Sequence, residues 1–72
     1  MTPELLHRAR MALGLSQQEL ADRLAVKKET VYRWEKGRMA FGSPDRLRDE
    51  LLAMLDERAA EVAGVRNELT GR

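Results

Sequence analysis

Apolar positions recur along this chain at spacings of three and four, in segments separated by short breaks. The sharpest signal is the stretch from Ser16 to Arg38, SQQELADRLAVKKETVYRWEKGR. Ser16 followed three residues later by Glu19 is a capping box, which predicts a helix from Gln17. Leu20, Ala21 and Leu24 mark its apolar face, and Ala25-Val26 closes it. A second helix is predicted to begin at Lys27 or Lys28, with Val31 and Trp34 pointing inward. Gly37 stops it, because glycine takes the left-handed conformation at little cost. Two helices of about two turns each cannot bury a core alone, so the rest of the chain must pack against them.

The flanking segments supply that packing. Thr2 can cap a first helix with Pro3 at its first position. Leu5, Leu6, Ala9 and Leu13 are expected to form its apolar face, Gly14 to end it, and Leu15 to drop back onto it. After Gly37, the loop Arg38-Met39-Ala40-Phe41-Gly42 carries one aromatic side chain expected to cover the core edge. Ser43-Pro44-Asp45 predicts another helix start, with a capping hydroxyl, proline at the first position and an acid in the first turn. No breaker follows until Gly64, and Leu47, Leu51, Leu55, Ala59, Val62, Val65 and Leu69 keep helical spacing through it. Twenty such residues would span about 30 Å, longer than a three-helix globule of this size is wide. A stripe that outruns its globule implies a partner, unless the tail frays after Gly64. Thr70-Gly71-Arg72 is expected to be disordered in either case.

Composition narrows the possibilities. Seventy-two residues make one domain near the lower limit for a self-sufficient core. The absence of cysteine excludes disulfides and thiolate metal sites and suits a reducing compartment. The opening Met-Thr-Pro-Glu lacks the features of a secretion signal, and no apolar run approaches a membrane span, so a cytoplasmic chain is expected. The net charge of +1 says nothing about nucleic acid, but its distribution does. Residues 27–38 carry five basic side chains against two acidic ones. A basic patch on a balanced domain is the footprint of a DNA reader. Catalysis has little support: Ser16 and Ser43 are accounted for as caps, and His7 is expected to be a surface side chain. Asp45, Asp49, Glu50, Asp56, Glu57 and Glu61 fall on the polar side of the last helix, interleaved with arginines, as a solvated face does. No metal, cofactor or catalytic residue is expected.

The lead-in ARMALGLSQQELADRLAV and the close KKETVYRWEKGR, roughly Leu5 to Arg38, resemble the helix-turn-helix of the Cro/phage-repressor (XRE-like) type. About half the chain carries the likeness. It implies an all-α helix-turn-helix bundle; with the helix starts and spacing read above, the fold expected is a small bundle of about four helices, with a core over 1–42 and a long C-terminal helix over 43–72 completing it. It also implies binding to double-stranded DNA, with the second motif helix in the major groove. Matched position by position, base reading falls on Lys28, Glu29 and Arg33, with Lys27 nearby. Arg33 and Lys28 suit guanine O6 and N7, and Glu29 suits the cytosine amino group or an intrahelical pair with Arg33. Gln17, Tyr32, Lys36 and Arg38 fall at phosphate- or sugar-contacting positions, whereas Trp34 belongs to the core. The likeness further implies an ion pair between Arg10 and Glu35. Two departures stand out. Many members have glycine where this chain has Ala25, so either the turn accepts about 1–2 kcal/mol of left-handed strain or its geometry differs and tilts the recognition helix. Members also usually follow that helix with two short ones rather than one long one. The long stripe Leu51, Leu55, Val62, Val65 and Leu69, interrupted at Arg58, is expected to be a homodimer seam. The function expected is a prokaryotic or phage transcriptional regulator of repressor type, reading an inverted repeat. The alternative is an antitoxin of the same fold that binds a protein toxin and its own promoter.

Overall fold

The computed structural model describes residues 1–71 and contains four helices: α1 (Pro3–Leu13), α2 (Gln17–Leu24), α3 (Lys28–Glu35) and α4 (Pro44–Leu69). Local chemistry sets most boundaries. The Thr2 hydroxyl accepts the Leu5 N–H at 3.1 Å and Pro3 opens α1. Gly14, at φ 68°, closes α1 in the left-handed conformation. The capping box at α2 is reciprocal: Glu19 N–H donates to Ser16 Oγ at 3.0 Å, and Ser16 N–H donates to Glu19 Oε1 at 2.9 Å. Beyond α3, Gly37 at φ 69° turns the chain, and the Arg38 N–H closes the last turn onto the Arg33 carbonyl at 2.8 Å.

The turn between α2 and α3 keeps the left-handed geometry despite its alanine. Ala25 sits at φ 57°, ψ 41°, and is the sole non-glycine residue with positive φ among those described. The Val26 N–H donates to the Ala21 carbonyl at 3.0 Å across it. The sequence thus accepts the strain rather than tilting α3. Ala25 is exposed, so relieving the strain sacrifices no packing. Ala25→Gly is expected to raise stability by about 0.5–1 kcal/mol, the left-handed penalty less glycine's extra unfolded-state entropy. Denaturant melts of the two chains measure it.

Leu6, Leu13, Leu20, Ala21, Val31, Leu47, Leu51 and Met54 form the core, drawn from all four helices. Trp34 packs against it and meets Phe41 at 5.7 Å between ring centroids, so the loop aromatic does cover the core edge. Three expectations need correction. Leu5 is 48 % exposed: α1 turns Leu6 and Leu13 into the core, and Leu5, about 100° round the helix from Leu6, projects to solvent. The Ser43 hydroxyl makes no capping bond: at φ −139°, ψ 79° its backbone departs from the usual cap geometry, and Pro44 sets the start of α4. Leu51, expected on a dimer seam, is 3 % exposed inside the core, and Leu55 is packed against it.

Helix α4 runs straight through Gly64. Its 26 residues, about 39 Å long, carry it past the globule, whose extents are 47 × 21 × 20 Å with the helix included. Residues 61–71 are all exposed. Thr70 and Gly71 form a turn, with Thr70 Oγ1 donating to the Asn67 carbonyl at 3.0 Å; Arg72 lies outside the described residues. No helix among the described residues is long and apolar enough to cross a membrane.

Candidate nucleic-acid interface

Behind α3, a buried carboxylate ties three elements together. Arg10 Nε donates to Glu35 Oε2 at 2.7 Å and Arg10 Nη2 to Glu35 Oε1 at 3.0 Å, a two-point pairing. The third arginine donor, Nη1, reaches the Leu15 carbonyl at 3.0 Å in the turn between α1 and α2. Gln17 Nε2, at the start of α2, reaches Glu35 Oε1 at 3.4 Å. His7 Nδ1 lies 3.1 Å from the same oxygen and 3.2 Å from Arg10 Nη2. One ring nitrogen cannot donate to the first and accept from the second at once, so the histidine tautomer selects between them. The Glu35 and Arg10 side chains are 6 % and 11 % exposed, which distinguishes this pair from the surface bridges elsewhere on the chain. Burial pushes the Glu35 carboxyl up, but donors from Arg10, His7 and Gln17, with the Arg10 charge, hold it below the usual carboxylate range.

This anchor presents the opposite face of α3 to solvent. Lys28, Glu29, Tyr32, Arg33 and Lys36 are all exposed, whereas Val31, on the other face, is fully buried. Lys27 occupies the N-cap position, exposed and without a side-chain capping bond. Glu29 sits in the first turn, where the helix dipole favours an acid; no ion pair joins it to Arg33 among the described residues. The Lys36 ammonium lies 5.7 Å from the centroid of the Tyr32 ring, within cation–π range. Arg38 is exposed just beyond Gly37. A shallow groove lined by Gln17, Lys28, Glu29 and Tyr32 connects the start of α2 with the start of α3.

The arrangement suits a duplex. The first turns of α2 and α3 flank one groove, and a compact basic face stands on a helix whose back is fixed by packing and a buried ion pair. Lys27, Lys28, Glu29, Arg33, Tyr32, Lys36 and Gln17 lie on or beside this face, and Arg38 lies past its C-terminal end. Gln17 stands out because its amide also touches Glu35, so the same side chain links the anchor to the surface. Sequence reasoning overlooked the contact between His7 and Glu35. The usable signal was local: His7 and Arg10 are three apart on one face of α1, so what reaches one is within range of the other. Among the described residues no cluster of three His, Cys, Asp or Glu side chains is placed to hold a metal ion.

A phosphate contact and a base contact separate experimentally. Lys36→Ala is expected to weaken binding to all duplex sequences alike and to reduce the slope of log affinity against log salt by about one. Titrations of one specific and one scrambled duplex at several salt concentrations measure both effects.

A family model described as helix-turn-helix matches residues 6–42, from Leu6 in α1 to Gly42 before α4. No curated protein and no solved structure gives a significant match.

Proposed function

The chain belongs to the Cro/C1-type helix-turn-helix family of DNA-binding domains, and from that premise we propose that it is a sequence-specific transcriptional regulator of repressor type, acting as a homodimer on an inverted repeat. The observation that carries the reading is the face of α3. Lys28, Glu29 and Arg33 project from it with no ion pair among the described residues, while Val31 is buried behind them and Glu35 is locked to Arg10. Arg33 forks onto guanine O6 and N7, Lys28 reaches the same kind of acceptor, and Glu29 accepts from a cytosine amino group. Gln17, Tyr32, Lys36 and Arg38 fix the register on phosphates and sugars.

Dimerisation follows from size and from α4. One such module buries roughly 600–1,000 Å² on DNA, which is small against a genome of competing sites. The far half of α4 leaves Val62, Val65 and Leu69 at 48 %, 54 % and 83 % exposure, an apolar surface with no role in its own core. A second copy gives that surface a use and supplies the second recognition helix. Selection of bound sequences from a random duplex pool tests the function. The expected result is an enriched inverted repeat with half-site centres about 34 Å apart or a multiple of it. A pool that stays random would remove the sequence-specific reading. Selection of a single half-site would remove the dimer and favour a protein partner, such as a toxin, on the exposed tail.

A further inference from the structure

The stripe of α4 that remains outside the core is offset from the one that packs inside it. Leu47, Leu51 and Met54 face the core. Turned roughly a quarter of the way round the helix lie Leu52, Leu55, Ala59, Val62, Arg66 and Leu69, spaced 3, 4, 3, 4 and 3, the a/d repeat of a two-helix seam. Leu52 is 51 % exposed, Leu55 is half-buried, and the other four are exposed. We propose that a second copy of this chain lies antiparallel along this stripe, with the two-fold axis passing between Ala60 and Glu61. The proposal rests on the homodimer reading above and specifies its geometry.

Three features of the chain select this arrangement. In it, Leu52 of one copy meets Leu69 of the other, Leu55 meets Arg66, and Ala59 meets Val62, so all six positions are used. Arg66 then comes within one residue of Asp56 of the second copy, an opposite charge beside the seam. Within one chain Asp56 and Arg66 are about 15 Å apart along the helix and cannot pair, and neither enters an ion pair among the described residues. A parallel pairing would instead set Arg66 on Arg66 and Asp56 level with Asp56, like charges that disfavour it.

Register is fixed in the same way. Sliding one heptad towards the cores brings Arg66 against Arg48 and Leu69 against Asp45 of the second copy. Sliding one heptad outward leaves Leu52 and Leu55 uncovered. In the chosen register, the α4 segment that builds each core is centred about ten residues from the axis. The two cores therefore sit about 30 Å apart along the paired helices, close to the roughly 34 Å of one duplex turn.

The chain has no cysteine, so introduced ones report without background. Leu52→Cys and Leu69→Cys alter exposed side chains and leave the core intact. Full-length chains carrying one or the other are mixed and oxidised, and the disulfides are identified by mass. A 52–69 disulfide as the main product of the mixture, with little linkage within either variant alone, is the expected result. A charge exchange provides a second reading by sedimentation. Arg66→Glu is expected to weaken the dimer about tenfold, and adding Asp56→Arg to restore most of it, since the pair can form only between chains. A dimer that yields no 52–69 disulfide, or that the exchange fails to rescue, overturns the antiparallel arrangement and leaves the homodimer standing. A chain that sediments as a monomer both alone and on selected DNA overturns both.

Discussion

Replacing Glu35 with alanine is expected to destabilise the fold by about 3–5 kcal/mol, the usual cost of leaving one member of a buried ion pair alone. The side chain is 6 % exposed and receives donors from Arg10, His7 and Gln17, so its removal strands a guanidinium that is itself 11 % exposed. For a 72-residue domain, total stability at 0.05–0.15 kcal/mol per residue is about 4–11 kcal/mol, so the loss removes much or all of it. The same residue gives an acid limb. Its folded carboxyl is held below the ordinary range, so its contribution is fully present above the unfolded glutamate value of about 4.3 and is lost as pH falls through the lower folded value. Denaturant melts from neutral to acidic pH measure both effects. The variant should be weaker at neutral pH and lose less of its remaining stability on acidification. A change under about half a kcal/mol would reduce the cluster to surface charges.

Removing residues 65–72 is expected to leave the melt nearly unchanged while lowering operator affinity by about a hundredfold or more, the scale on which a linked second site contributes. Val65 and Leu69 are 54 % and 83 % exposed and belong to no core, so the fold loses only helix it does not pack against. The exposed face of α3 that is proposed to meet DNA is untouched. In the proposed homodimer, only the coupling between two copies changes. Parallel melts and operator titrations of the full and shortened chains separate the effects, and an equal loss in both would show that the tail supports the fold instead.

Local chemistry was the most legible part of the sequence. The Ser16–Glu19 capping box, the glycine stops at Gly14 and Gly37 and the proline starts at Pro3 and Pro44 act within a few residues of themselves. They placed four helices without tertiary information. Ala25 was legible as a conflict but not in its resolution, because packing between α2 and α3 decides whether the backbone accepts the strain. The stripe on α4 was legible only in part, for a similar reason. At 3.6 residues per turn, the seam expected from spacing and the outward series share Leu55, Val62 and Leu69, and only packing against the rest of the chain shows that Leu51 belongs inside and Leu52 outside. Leu5 and Leu6 pose the same ambiguity on a shorter scale. The contact of Gln17 with Glu35 spans 18 residues of sequence and follows from no local rule, whereas His7 comes within reach of Glu35 once Arg10, three residues on, is paired with it. The outward face of α3 was readable because burial of Val31 leaves its opposite side no other neighbour.

The central claim is that this face reads bases, and Arg33 tests it most directly. Selection from a random duplex pool is run in parallel with the wild-type chain and with Arg33→Ala, at the same salt concentration. The account predicts that the variant loses about 1–3 kcal/mol on the wild-type site and relaxes its preference at one base pair, repeated symmetrically in both half-sites. An unchanged preferred sequence in the variant would contradict it.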